Sequence, residues 1–252
     1  MQSRTSSERQ YAEFHSLWVE DFRKDVTLYL DLAAKYAGPV LEIGCGTGRV
    51  LARFGEAGYE ALGVDVSRPM LEVARRELAP WQDRVRIADF DFRGNALFEK
   101  FHVALATLYV FNALIDVAEQ RLFLRHVTRC MKSPGVLALD FFCPLPMLRP
   151  ETNGKWREIT RKVRGHELVL RDKREMLTPL LERRTQSFRI DGSEPLEHVS
   201  HRRFVPAQQA EQLLVEAGFE SVRFVQDYDL SGARAIGEGE RPLGPYQLIA
   251  ER

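Results

Sequence analysis

The stretch Val40-Leu41-Glu42-Ile43-Gly44-Cys45-Gly46-Thr47-Gly48-Arg49 constrains this 252-residue chain more than any other. A short, mainly apolar run leads into glycines on alternate positions, Gly44, Gly46 and Gly48. Val50, Leu51, Ala52 and Phe54 then recur at helical spacing. The pattern reads as a buried strand, a tight turn and a helix start. Without a Cβ, such a turn lets backbone approach a ligand closely. It is also expected to aim unpaired helix N–H groups at whatever lies in front of it.

The rest of the chain supplies the context such a turn needs. Tyr11, Phe14, Leu17, Trp18, Phe22, Val26, Leu30 and Ala33 follow three- and four-residue steps, which predicts N-terminal helices ending near Gly38-Pro39. After the glycine turn, a helix to about Ala57 precedes a strand from Tyr59 to Val64, ending in Asp65. Ser67 can cap the next helix, with Pro69 in its first turn. Strands are expected at Val85 to Ala88, ending in Asp89, and at Phe101 to Leu108. A helix from Val117 to Met131 turns through Ser133-Pro134-Gly135 into a fifth strand, Val136 to Phe142. Strand and helix in alternation, with near-continuous apolar strands, call for a parallel sheet covered on both faces. Ligands of such sheets bind outside the carboxyl ends of the strands. That edge collects the glycine turn, Asp65, Asp89 and Thr107.

The pattern changes after Pro144. Pro144, Pro146 and Pro150 make a linker, and Lys155 to Val205 reads as a meander of three or four antiparallel strands. This meander carries thirteen Lys and Arg against eight Asp and Glu. Trp156, His166, His198, His201 and Arg203 are its candidate functional side chains. A helix from Gln208 to Ala217, a strand from Phe219 to Asp229, a glycine-rich loop at 231–244 and a strand from Tyr246 to Ala250 complete the chain.

Composition narrows the partners. Lys and Arg total 36, as do Asp and Glu, so no global field favours nucleic acid or an anionic membrane. The apolar runs are strand-sized, too short for spanning helices, and the N-terminal residues lack a signal-peptide core. Cys45, Cys130 and Cys143 fit neither a disulfide framework nor a zinc spacing, so no metal is expected. The inferred setting is the reducing cytoplasm.

Glycine spacing discriminates among tenants of such a sheet. A dinucleotide fingerprint needs G-x-G-x-x-G; here Arg49 holds its third glycine position, and the P-loop lysine motif is absent. E-x-G-x-G-x-G, then G-V-D-V-S-R-P-M-L, R-I-A-D-F-D-F and M-K-S-P-G-V-L-A-L-D, in that order, resemble the class I S-adenosylmethionine-dependent methyltransferases over roughly Val40 to Phe142. The resemblance implies a Rossmann-like α/β fold: a seven-stranded, mostly parallel sheet with its last strand antiparallel, helices on both faces and an antiparallel β insertion. It divides the chain into a donor-binding domain, 1–143 with 206–252, and an insertion, 144–205, that covers the substrate or forms a dimer surface.

It also implies roles. The donor S-adenosylmethionine, leaving as S-adenosylhomocysteine, would rest on Glu42, Gly44, Cys45, Gly46 and Gly48, with Thr107 nearby. Asp65 would take the ribose hydroxyls, and Asp89 (or its neighbour Asp91) the adenine amine. Phe90 would lie beside the ring, Val66 and Met70 against its other face, and Tyr11 over the aminoacyl end. The segment Ala106 to Asp116 would face the methyl group. Some similar enzymes place a histidine there; the matching residue is Ala113, leaving Tyr109 and Asn112 as the polar candidates. The expected activity is methyl transfer to N or O of a small molecule by a monomer or homodimer. An NAD(P)-type oxidoreductase and a donor-binding module without turnover are the alternatives. An RNA methyltransferase is disfavoured by the neutral charge and the missing amine-binding N-P-P-Y motif.

Overall fold

The N-terminal periodicity folds as two helices, α1 (Gln2–Val19) and α2 (Val26–Tyr36). They belong to a computed structural model that describes residues 2–143, 149–237 and 244–252. The alternation then runs β1 (Val40–Ile43), α3 (Arg49–Glu56), β2 (Ala61–Asp65), α4 (Arg68–Glu77), β3 (Val85–Asp89), β4 (Phe101–Ala106), α5 (Val117–Arg129) and β5 (Met131–Phe141). Four strands follow: β6 (Trp156–Val163), β7 (His166–Thr178), β8 (Leu181–Ile190) and β9 (Leu196–Arg203). The described chain closes with α6 (Ala207–Glu216), β10 (Ser221–Gln226) and β11 (Tyr246–Glu251). Ser67 caps α4 by accepting from Met70 N–H, with proline in the first turn. The linker prolines 144 and 146 and residues 238–243 of the glycine-rich loop lie outside the described residues.

The main sheet has seven strands in the order β10-β11-β5-β4-β1-β2-β3. β11 runs antiparallel to both neighbours; the pairings among β1 to β5 are all parallel. Strand order reverses at β1, which lies between β2 and β4. Open α/β sheets bind ligands in the crevice at such a switch point. One layer joins Leu41, Leu62, Ala104 and Leu137 to α5 and α6 through Phe123, Val127 and Leu213. The other joins Val40, Val103 and Ala138 to α2, α3 and α4 through Leu32, Phe54 and Leu71. The period-2 alternation of strand residues between the layers explains why these strands read as continuous apolar runs. Each fully buried Leu or Phe contributes roughly 1.5–3 kcal/mol.

The fifth strand departs from expectation. It starts at Met131, and Ser133-Pro134-Gly135 lies inside it. Pairing with β4 passes from Phe101↔Met131 to Val103↔Val136, so this segment bulges instead of preceding the strand. Gly135 exchanges both backbone hydrogen bonds with Arg252, which pairs the bulge with the chain end.

The meander is a separate antiparallel sheet in the order β6-β7-β8-β9. Leu168, Leu170 and Phe188 on one face pack on Phe14 of α1, with Tyr11 and Trp18 alongside. Arg161 stacks its guanidinium 5.2 Å from the Trp18 ring and donates to the Trp18 carbonyl at 2.7 Å. Thus α1 gives much of its apolar face to the second sheet.

Arg49 opens α3 and turns back toward the junction between α1 and α2. It grips Asp25 in two parallel bonds of 2.8 and 2.5 Å and donates to the Phe22 carbonyl at 2.7 Å. The Asp25 side chain is 0% exposed and that of Arg49 8%. The residue that breaks the dinucleotide fingerprint therefore locks the N-terminal helices onto the glycine turn. Removing one partner of a buried pair strands the other's charge, typically at about 3–5 kcal/mol. Asp25→Asn should lower unfolding stability by about that amount, read by urea denaturation.

Candidate functional site

Three turns converge at the switch point, following β1, β2 and β4. The first has left-handed backbone at Gly44 (φ 72°), Gly46 (54°) and Gly48 (84°). A Cβ at Gly44 would stand 2.5 Å from a Val110 methyl, so only glycine admits the third turn this close. Several N–H groups of the loop itself are bonded within the protein. Gly44 and Cys45 donate to the Val64 carbonyl at 2.7 and 3.0 Å, Gly48 to that of Cys45 at 2.9 Å, and Gly46 to Asp65 Oδ2 at 2.8 Å.

Asp65 is the knot of the site. Its second oxygen accepts from Ser67 N–H at 2.8 Å, which fixes the turn after β2. Burial raises its pKa, opposed by the bonds from Ser67 and Gly46. A carboxylate offers about four lone-pair positions, so further acceptor capacity remains for a ligand.

Two cavities meet over Asp65, with Gly44 and Val110 as their other shared walls. One, of about 270 Å³, is lined by Val66, Phe90, Asp91 and Phe92. The other, of about 210 Å³, is lined by Glu42, Cys45, Gly46, Met70, Thr107 and His15. Taken together they fall within the roughly 300–1,000 Å³ of small-molecule sites. Gly48 lies behind them, against Leu78, and lines a separate surface cleft.

Glu42 stands at the floor, 1% exposed. Oε1 accepts from Thr107 Oγ1 at 3.0 Å, whereas buried Oε2 has no partner. Burial pushes its pKa up to about 8, against the lowering pull of Arg49 and Thr107. His15 forms the roof: its Cε1 lies 3.8 Å from where a Gly46 Cβ would be, and its buried Nδ1 also lacks a partner. Burial, then Arg49, lowers its pKa to about 4. Cys45 is buried and its thiol pKa is pushed far up, so it is not a thiolate nucleophile.

Two expected donor contacts are placed elsewhere. Tyr11 does not line either cavity: its ring stacks on His198 at 4.0 Å and packs on Phe188. His15, one turn later, reaches the glycine loop instead. Asp89 pairs with Arg68 at 2.9 Å on the surface and lines neither cavity; Asp91 does line one. The reason is register: Asp89 pairs with Asp65 as the last residue of β3, and Phe90 N–H then closes on the Asp65 carbonyl at 3.2 Å.

The third turn separates two environments. Leu108 and Val110 line the smaller cavity, whereas the Tyr109 ring faces Phe142 and lies 5.3 Å from the Arg202 guanidinium. Burial raises the Tyr109 pKa, so its phenol remains protonated. Asn112 is fully buried; its amide donates to the Arg203 carbonyl at 2.7 Å and accepts from Phe142 N–H at 2.9 Å. It ties β9 to the end of β5 instead of presenting a free group. Leu108 (φ 47°) and Tyr109 (φ 71°) are both left-handed, held by Leu108 N–H donating to Asp140 at 2.8 Å. Asp140, 1% exposed, also accepts from Tyr29 and Tyr228 hydroxyls at 2.9 and 3.2 Å; burial raises its pKa to about 7. Sequence reading missed His15, Asp140 and Arg202; for Asp140, its place at the carboxyl end of an apolar strand was the available signal.

Of the meander candidates, His198 faces inward against Tyr11. Trp156 is 40% exposed beneath Arg171 and Lys173, and His166 pairs with Asp191 on the surface. His201 is exposed, and Arg203 offers the carbonyl that binds Asn112. Among the described residues no cluster could hold a metal ion, and no helix is long and apolar enough to cross a membrane.

Known proteins agree with this geometry. Residues 41–137 match the family model of a methyltransferase domain. Over 122 residues the chain is 31% identical to the cypemycin N-terminal methyltransferase of a Streptomyces species, a match covering 48% of each chain. The chain spans about half the length of the curated relatives it matches. An S-adenosylmethionine-dependent methyltransferase from Clostridium acetobutylicum ATCC 824 superposes with a TM-score of 0.77, over 96% of this chain and 98% of that one, at 16% identity. The sugar N-methyltransferase KedS8 from Streptoalloteichus sp ATCC 53650 superposes at 0.74, over 96% and 92%, at 20% identity. At those identities the likeness is one of fold. Residues 41–137 thus match a methyltransferase domain, and strand order and superposition show the fold of S-adenosylmethionine-dependent methyltransferases.

Glu42 and His15 set opposite limits on stability. Between pH 4.5 and about 8, folded Glu42 keeps a proton that the unfolded chain has released, so its effect on stability worsens as pH rises. Between about 4 and 6.5, the unfolded chain protonates His15 and the folded chain does not, so its effect worsens as pH falls. Glu42→Gln should flatten the alkaline decline and His15→Gln the acid one, measured by urea denaturation across pH 4 to 9.

Proposed function

We propose that this chain transfers a methyl group from S-adenosylmethionine to a nitrogen or oxygen of a small molecule. The observation that carries the reading is the pair of cavities meeting over Asp65, with an unpartnered Glu42 oxygen in the smaller one. The donor has a zwitterionic end, a ribose and an adenine, and no phosphate. Its ammonium would pair with Glu42, its ribose hydroxyls with Asp65, and its adenine would lie beside Phe90. Arg49, at the third glycine position of a dinucleotide fingerprint, supports a donor of this kind over a dinucleotide.

The bound donor supplies an activated methyl group with a good leaving group. What remains for the chain is to align the acceptor, exclude water and manage one proton. Alignment accounts for roughly 7–11 kcal/mol of barrier in well-oriented systems. Tyr109, kept protonated, orients the acceptor by donating a hydrogen bond; it is not the base. The second sheet, β6 to β9, which meets the third turn through Arg202 and Tyr109, acts as the acceptor cover. The sugar N-methyltransferase among the similar structures supports a small-molecule acceptor.

Titration calorimetry with S-adenosylmethionine and S-adenosylhomocysteine tests the reading. Wild type should bind both, and Asp65→Asn should weaken each at least about tenfold, a cost of about 1.4 kcal/mol. At pH 7 Glu42 is largely protonated, and pairing with the ammonium should expel that proton. The binding heat should therefore vary with the ionisation heat of the buffer, and Glu42→Gln should abolish the variation. Absence of binding, or binding indifferent to Asp65→Asn, would overturn the assignment.

A further inference from the structure

The inner face of the second sheet is apolar at one end and charged at the other. Leu168, Leu170 and Phe188 pack on α1, and the same face continues into Asp172, Arg174, Arg184, Glu182 and Arg202. The charged end meets Tyr109 and Phe142, directly beyond the turn whose Leu108 and Val110 line the donor cavity. One residue of backbone separates the two environments.

Pairing within this charged end is incomplete in a specific way. Asp172 accepts from Arg174 at 2.9 Å and from Arg184 at 2.5 Å, so its charge is answered twice. Glu182 is fully buried, yet neither carboxylate oxygen has a hydrogen-bond partner; its nearest cation, Arg174, lies 4.0 Å away. Glu182 and Arg202 are direct cross-strand partners, the arrangement in which opposite charges usually pair. Here they do not. The Arg202 guanidinium instead lies over the Tyr109 and Phe142 rings, at 5.3 and 5.9 Å, and makes no ion pair among the described residues. Burial and the neighbouring Arg184 both work against its charge, lowering its pKa to about 10. A cation and an acceptor are thus held side by side, each without its complement.

We propose that this charged end is the acceptor site, and that it takes a small molecule carrying an oxyanion, read by Arg202, a few bonds from an N–H or O–H donor, read by Glu182. Amino acids, hydroxy acids and their phosphorylated counterparts have this chemistry. Guanidinium donors match carboxylate and phosphate in geometry, and a fully buried carboxylate favours a ligand that restores its missing hydrogen bonds. Tyr109 then sits between the bound acceptor and the donor. The inference rests on the proposed methyl transfer, because that reading makes the third turn the boundary with the donor.

Ligand-observed nuclear magnetic resonance, with and without S-adenosylhomocysteine, tests it on glycine, glycolate, acetate and inorganic phosphate against glycinamide and glycolamide. The acids should bind at least about tenfold more tightly than the amides. Arg202→Gln should erase that preference, and Arg202→Lys should restore part of it. Glu182→Gln should weaken glycine and glycolate while leaving acetate, which has no donor, unchanged. Phosphate binding ahead of acetate would assign the oxyanion to a phosphoryl group, and the reverse order to a carboxylate. Acids and amides binding alike, no probe binding, or an acid preference that survives Arg202→Gln would each overturn the proposal. S-adenosylmethionine affinity and melting temperature are measured on every variant. Failure of wild type to bind S-adenosylmethionine sinks the methyl-transfer reading, whereas donor binding without acid preference sinks this inference alone.

Discussion

The geometry of the site depends on one carboxylate. Asp65 receives the Gly46 N–H on one oxygen and the Ser67 N–H on the other, both at 2.8 Å. Those two bonds fasten the loop after β1 to the turn after β2. The Asp65 carbonyl takes Phe90 N–H and so adds the segment after β3. Three pieces of chain, distant in sequence, become one wall. Bonds to an ionised acceptor are stronger than neutral ones, so the wall is held best while Asp65 is ionised. Gly44 completes it by admitting Val110 where any side chain would collide.

A second carboxylate organises the opposite wall. Asp140 accepts from Leu108 N–H, Tyr29 and Tyr228, and two left-handed pairs, Leu108-Tyr109 and Asp227-Tyr228, converge on it. Non-glycine residues in that region cost of order 1–3 kcal/mol each and persist where surroundings over-determine them. The strain turns Tyr109 away from the donor cavity and under Arg202, while its neighbours remain in the cavity wall. Asp65 and Asp140 thus do related work: each holds backbone in a shape that local preference alone would not select.

Sequence disclosed what local chemistry dictates. Alternating strands and helices, the glycine turn, the Ser67 cap and the four-stranded meander follow from periodicity and turn residues, and the structure contains each of them. Long-range choices were hidden. Tyr11 and His15 lie one turn apart on the same helix face, and the docking of α1 on the second sheet decides which reaches the loop. Asp89 ends β3 and Asp91 lies in the loop beyond it, so which of them meets the cavity rests on where pairing with β2 stops. Nothing near Arg49 announces Asp25, twenty-four positions earlier. Alternation showed which meander residues share a face, but not which end of that face meets the third turn. The Ser133-Pro134-Gly135 segment read as a turn because its residues favour one; pairing with the chain end absorbed it into β5.

In the proposed complex the adenosyl donor spans both cavities across Asp65. A crystal structure of the protein with S-adenosylhomocysteine tests it most directly. Density is expected for the ribose at Asp65, the adenine beside Phe90 and the amino acid end between Glu42 and His15. Density for the ligand elsewhere, or unoccupied cavities at saturating ligand, would contradict it.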